Sequence, residues 1–497
     1  MRRPLQFLAV VLGAVVATAF LLPARAEAAP SLVDPDLAVR TAASGLVTPI
    51  SIAFLGRNDM LVLEKDTGKV QRVVNGTVQS TVLDLPVNRA SERGLLGIAL
   101  DPHFFVNGRL FLYWTETLSA TDSGDLADVP LLGNRVDRFY WNGSTLSFDR
   151  NIIKLRAFQA DAGQPLRGNH DGGVLRFGPD KKLYVVIGDN GRRGQTQNLV
   201  NGPFGPGIPD DQFGGPQPDD AHLTGVILRL NDDGTAPRSN PFFGVGGAMG
   251  GQVGANLQKI FAYGLRNSFG MAFDPKSGDL WEQENGDDSF TELNRALPGF
   301  NSGWVQIMGP PERIAQFKAI ETTVTPSPPD PFAATYFGLQ QIRWLPTSIA
   351  DTPAEALSRL FLLPGAHYSA PEFSWKFEVA PAGIGFLESK ALGSKYRSDL
   401  FVGESRLFLE NGALLHFNLT GNRRAIDVDD PRLEDRVADN LHKWEITESE
   451  TLLFGRNFGI GTDVQTGPNG NLYVVSLTDG VVYEVFRPKK HDDEDED

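Results

Sequence analysis

Six copies of one short pattern constrain what this chain can fold into. Each copy is an apolar pair, a turn built on Pro, Gly or Asn, and then a Leu-led apolar or aromatic run. Ile98-Ala99-Leu100-Asp101-Pro102 leads to Gly108-Arg109-Leu110-Phe111-Leu112-Tyr113-Trp114, and Phe177-Gly178-Pro179-Asp180 leads to Leu183-Tyr184-Val185-Val186. Phe273-Asp274-Pro275 leads to Gly278-Asp279-Leu280-Trp281, and Thr466-Gly467-Pro468-Asn469-Gly470 to Leu472-Tyr473-Val474-Val475. Two looser copies run from Ile52-Ala53-Phe54 to Met60-Leu61-Val62-Leu63 and from Tyr396-Arg397-Ser398 to Leu400-Phe401-Val402-Gly403. A short hairpin cannot bury its apolar face alone, so repeated hairpins must stack on one another. Without a helical period between them, the pattern predicts an all-β fold, a six-bladed β-propeller. A β-sandwich or a pair of smaller β domains is the alternative.

The copies lie about 45 to 125 residues apart, wider than the roughly 40–45 of a bare four-stranded blade, so long loops must be inserted. Candidate insertions are 119–133, 198–221, 240–254 and 310–368, rich in Gly, Pro and Asp as surface loops are. They either wall a binding site or decorate the surface.

The two ends read differently from the middle. Arg2 and Arg3 precede an apolar run from Leu5 to Leu22, and Ala24-Arg25-Ala26 follows as a small-residue cleavage site. Residues 1–26 are therefore expected to be a signal peptide, with an uncleaved anchor as the rival, and the mature protein to be periplasmic or secreted. Residues 27–488 form the propeller. Residues 489–497 hold six consecutive acids and no apolar residue, and are expected to be a solvated, disordered tail. The formal net charge of −15 disfavours nucleic acid and other phosphate-rich partners. With no cysteine, disulfides, thiolate metal sites and a cysteine nucleophile are all excluded.

The third copy carries chemistry as well as architecture. His170 sits in the turn Asn169-His170-Asp171-Gly172-Gly173, and the strand that follows ends in Gly188-Asp189-Asn190-Gly191. A histidine and a carboxylate thus occupy the two outer ends of one hairpin. Imidazole is the side chain best suited to accept a proton near neutral pH. Taken singly, His170 could equally cap a turn and Asp189 begin one.

Other segments carry a family resemblance. Glu92-Arg93-Gly94-Leu95-Leu96-Gly97-Ile98-Ala99 with Asp101-Pro102-His103-Phe104 resembles the signature of the glucose/sorbosone dehydrogenases. The His170 segment, Tyr263-Gly264-Leu265-Arg266-Asn267-Ser268-Phe269-Gly270, and Glu284-Asn285-Gly286 with Glu292-Leu293-Asn294 follow in that family's order. The likeness extends over most of residues 40–487. It implies a six-bladed propeller and an exported aldose dehydrogenase that uses pyrroloquinoline quinone and calcium, with a small sugar as substrate and an external electron acceptor as partner.

By that resemblance His170 is the base and Asp189 the carboxylate that fixes its tautomer. Arg266 and Asn267 contact the quinone, unless Arg266 pairs with a structural carboxylate in the next blade. The backbone carbonyls of Gly286 and Asp287 supply calcium, a hard cation suited to oxygen ligands.

Three departures bear on this. The family's arginine pair in the last blade is replaced by Gly459-Ile460-Gly461-Thr462-Asp463, with Arg456 out of register upstream. The family's lysine in the fifth blade has no clear counterpart, although Arg406 lies near its place. Asp287 and Asp288 stand where a proline usually follows the calcium glycine. A second reading therefore stays open, a calcium-stabilised propeller that lost the quinone and serves as a carbohydrate- or protein-binding module or a lactonase-like hydrolase.

Overall fold

The computed structural model describes residues 28–158, 168–191, 223–322, 346–406 and 410–489. The expected signal peptide, nearly all of the acidic tail, the whole 198–221 insertion and part of the 310–368 insertion lie outside them. The chain is all-β, and among the described residues its strands form six sheets in a propeller arrangement.

The innermost strands of the sheets are Pro49–Gly56, Leu95–Leu100, Leu175–Phe177, Gly270–Phe273, Pro381–Phe386 and Gly461–Thr466. Each contacts the next, and the last contacts the first, so the six make a closed ring. The repeated hairpins of the sequence fall on this ring. Phe177 and Leu183 pair across the third sheet, and Phe273 and Leu280 across the fourth.

Glycine permits the tight approach of neighbouring inner strands. A Cβ on Gly97 would lie 2.0 Å from the Gly173 carbonyl, and one on Gly385 would lie 1.9 Å from the Val464 carbonyl. Ala38–Ala43, near the start of the described chain, pairs antiparallel with Val481–Phe486 near its end, so the sixth sheet is closed by strands from both ends.

Between the sheets lie apolar layers, because β-branched and aromatic residues pack well on a pleated surface. Trp281, Leu293, Trp375 and Phe417 share one such layer, and Leu183, Val185, Leu228 and Tyr263 another.

Contrary to the expectation of plain loops, part of the inserted chain is helical. Phe243–Met249 and Gly251–Leu257 are short helices, and Ile314–Thr322 buries Ile314, Phe317 and Glu321 against the fourth sheet. Those three residues repeat at helical spacing, a signal too brief to stand out within a 59-residue insertion. Among the described residues no helix is long and apolar enough to cross a membrane.

Candidate active site

Where the six sheets converge there is a cavity of about 510 Å³, within the usual size for small-ligand sites. Every sheet or its adjoining loop contributes to the wall, through Ser51, Leu96, Arg176, Asn285, Pro381 and Thr462 among others. The cavity therefore exists only when the ring is complete.

His170 reaches the wall from the turn before the third inner strand, at a left-handed φ of 60°. That conformation is uncommon outside glycine and is held here by contacts on both sides. Its backbone N–H donates to Glu92 Oε2 at 2.5 Å, and the adjacent Gly172 and Gly173 also have positive φ.

Asp189 follows the second strand of the same sheet. Its Oδ1 lies 2.5 Å from His170 Nδ1 and accepts the Gly191 N–H at 2.7 Å, while Oδ2 accepts the Trp304 indole N–H at 2.8 Å. Gly188 makes the approach possible, since a Cβ there would lie 2.6 Å from the Arg266 carbonyl and 2.7 Å from that of His170.

Burial works to raise the Asp189 pKa, but His170, the Arg266 charge and the Trp304 bond outweigh it and hold the carboxyl below its ordinary value. An ionised carboxylate can only accept, so Nδ1 carries the hydrogen and Nε2 is the imidazole's basic atom.

Arg266 enters between the third and fourth sheets. Its backbone N–H donates to Glu284 Oε1, and its carbonyl accepts the Asp189 N–H at 2.7 Å. The guanidinium donates to the Asn285 carbonyl at 2.9 Å and to Asp287 Oδ1 at 2.8 Å, and lies 5.5 Å from the Trp304 ring centre. Arg266 thus reaches the cavity and also pairs with a carboxylate of the next sheet.

Asp287 differs from its expected part. Its side chain is bound to Arg266, and its carbonyl accepts the Lys443 ammonium at 3.2 Å. Gly286 lines the cavity, in a turn where a Cβ would lie 2.1 Å from the Ser289 carbonyl.

Of the other expected residues, Asn267 is on the wall, with its amide N–H 3.4 Å from Glu92 Oε2 and its buried Oδ1 without a partner among the described residues. Arg406 ends the strand Leu400–Arg406 beside the wall residue Ser405, and its side chain lies outside the described atoms. Arg456 is exposed on another strand and does not line the cavity.

Several contributors escaped the sequence reading. Lys65, Arg176 and Lys443 line the cavity alongside Arg266, and each has a carboxylate partner: Asp66 at 2.8 Å, Asp463 at 2.7 Å and Asp288 at 2.9 Å. Arg176 was detectable, because it alternates with the inward-packed Leu175 beside the histidine motif. Lys443 had no local signal, since it comes from an irregular segment some 150 residues from its partners.

Beneath Arg266 lie Glu282, Glu284 and Glu292, all fully buried. Burial pushes Glu282 up to about 8 and Glu292 up to about 7.

A ring of β-sheets thus surrounds a cavity whose wall carries a paired histidine and carboxylate, a propeller with a candidate proton-transfer site. The glucose/sorbosone dehydrogenase family model matches residues 46–317, and the chain belongs to that family. It is 31% identical to quinoprotein glucose dehydrogenase B of Acinetobacter calcoaceticus over 54% of this chain and 52% of that protein, so the match spans about half of that relative's length. Identity with the aldose sugar dehydrogenase YliI of Escherichia coli is 25% over 86% of each chain. Among solved structures, the quinone-bound aldose sugar dehydrogenase of Streptomyces coelicolor superposes with a TM-score of 0.53 at 22% identity, covering 92% of this chain and all of that one, a likeness of fold.

Proposed function

We propose that this protein is an exported, quinone-dependent aldose dehydrogenase built on a six-bladed propeller, each sheet serving as a blade. The observation that carries the proposal is the His170–Asp189 pair at the cavity wall, with Nδ1 committed to the carboxylate. Pyrroloquinoline quinone, when bound, supplies the acceptor for the hydride.

The residues present fit such a group. Asn267 Oδ1 is a buried acceptor on the wall that a ligand N–H or O–H can satisfy. Arg266 offers a planar guanidinium of the kind that grips carboxylates. Ile50, Leu96, Val174 and Phe269 supply apolar wall for a flat ring system.

His170 Nε2 accepts the hydroxyl proton of the sugar as the C–H bond breaks. Asp189 keeps the proton on Nδ1 and stabilises the imidazolium that forms. Trp304 and the Gly191 N–H hold Asp189 in place. The residues do not fit calcium as the family likeness assigns it, because the Lys443 ammonium donates to the Asp287 carbonyl and sets a like charge beside it, and no step is routed through that ion.

A second reading, a binding module without the quinone, draws support from the carboxylate partner beside each of the four wall cations named above. One experiment separates the two. Purified protein is mixed with pyrroloquinoline quinone, and bound-quinone absorbance and aldose-dependent dye reduction are recorded. Binding at micromolar quinone with turnover supports the dehydrogenase; no binding rules it out in favour of the module.

A further inference from the structure

The turn Asn285–Asp288 is where the family resemblance places a metal ion, and it is gripped here from two sides by side-chain cations. Arg266 takes the Asn285 carbonyl and the Asp287 carboxylate. On the other side Lys443 Nζ donates to the Asp287 carbonyl at 3.2 Å and to Asp288 Oδ1 at 2.9 Å. Lys443 is buried, and it lines the same cavity as His170.

The segment that delivers it is rigidly anchored. Asn440, fully buried, donates to the carbonyls of Phe377, His442 and Glu445 and accepts the Phe377 N–H at 2.8 Å. Next along the chain, the Trp444 N–H donates to the Glu378 carbonyl at 2.8 Å. The ammonium is therefore held in place by the fold and is not a mobile surface group.

A calcium ion needs carbonyl and carboxylate oxygens at about 2.3–2.6 Å and no cation beside them. At this turn one carbonyl and one carboxylate already serve an ammonium, and a second carboxylate serves a guanidinium. A divalent ion would have to displace a buried lysine whose charge is matched by Asp288, and it would sit against that like charge if the lysine stayed.

We infer that Lys443 takes the metal's place at this turn: its ammonium is the cation seated on the Asp287 carbonyl, it positions Asp288, and it excludes calcium from that carbonyl. Any ligand bound in the cavity then meets a fixed organic cation there, and its binding does not require calcium at this turn.

The test titrates calcium calorimetrically into chelator-stripped, cofactor-free full-length wild type, Lys443→Met and Lys443→Arg. Lys443→Met is expected to bind one more calcium per chain than wild type, because it frees the Asp287 carbonyl and the Asp288 carboxylate. Lys443→Arg, which keeps the charge, is expected to match wild type. Equal stoichiometry in all three folded proteins overturns the inference. If Lys443→Met lacks a cooperative melt, crystals of wild type grown in millimolar calcium decide the matter. An ion about 2.3–2.6 Å from the Asp287 carbonyl refutes the inference, and the ammonium still seated there supports it. Because no quinone is present, these results stand whether or not the dehydrogenase reading holds.

Discussion

Replacing Asp189 by Asn tests the proposed base directly, since the substitution preserves shape and removes one charge. In the wild type the carboxylate meets His170 Nδ1 at 2.5 Å in a site where both side chains are almost fully buried. When the imidazole takes the substrate proton, charge centres about 4 Å apart attract by about 4 kcal/mol at an effective dielectric near 20. At about 1.4 kcal/mol per decade, losing all of that slows the chemical step roughly a thousandfold.

Proton transfer is incomplete at the transition state, so a fall of about a hundred- to a thousandfold in kcat is expected. The amide also offers an N–H toward Nδ1, which favours the tautomer with its hydrogen on Nε2 and removes the base outright. The assay is steady-state dye reduction with aldose at saturating quinone, with quinone affinity measured separately by absorbance. Affinity should stay within about threefold of wild type, because Asp189 does not itself line the cavity and the substitution keeps its backbone N–H bond to the Arg266 carbonyl. A folded Asp189→Asn protein that retains kcat within tenfold of wild type would refute the assignment.

Other outcomes follow from the same geometry. His170→Ala should abolish turnover and leave the quinone bound; loss of binding instead would move His170 from chemistry to cofactor contact. Arg266→Met leaves Asp287 buried without its cation, and a thermal or denaturant melt should show a loss of about 3–5 kcal/mol together with weakened quinone binding. Gly188→Ala puts a methyl against two carbonyls, and equilibrium unfolding should report a loss of about 1–3 kcal/mol.

The buried acids set a pH dependence. Burial pushes the Glu282 carboxyl up to about 8 and that of Glu292 up to about 7, so above the ordinary carboxylate range the native state keeps protons that the unfolded state has released. Stability in chelator should therefore fall as pH rises from about 4.5 toward 8. Glu282→Gln should flatten that slope, and an unchanged Tm profile would count against burial as the cause.

Much of the architecture was legible because it is local. A turn at a fixed offset between two apolar runs reports a hairpin, and five of the six units became the inner hairpin of a sheet; in the sixth, Tyr396 lies in a 3-10 turn and only Leu400–Gly403 is strand, paired with Pro381–Phe386. His170 and Asp189 were legible together for the same reason, since nineteen residues and one hairpin separate them. What the sequence concealed is long-range. Trp304 reaches Asp189 across 115 positions, and Lys443 reaches the Asp287 turn across 156. Nothing near either residue in the chain signals its destination.

The vacant arginine positions at 459–463 gave half an answer. Asp463 stands on the wall there, and Arg176 of the third sheet comes to meet it. The cation arrives from another stretch of chain, where no scan of the last sheet's own residues could find it.

Closure of the ring by Ala38–Ala43 against Val481–Phe486 has a consequence for how the protein is made and broken. The partners are more than 400 residues apart, and Arg40 meets Glu484 across the same seam at 2.8 Å. Such a join forms late, after the intervening sheets have collapsed, and until then one strand at each end presents unpaired backbone to its surroundings. A nascent or proteolytically clipped chain that stops short of residue 481 would lack the third strand of its sixth sheet and leave the outermost, Ala38–Ala43, without its partner. Incomplete copies, with strand edges left open, should therefore be less stable and more prone to aggregate than the closed ring.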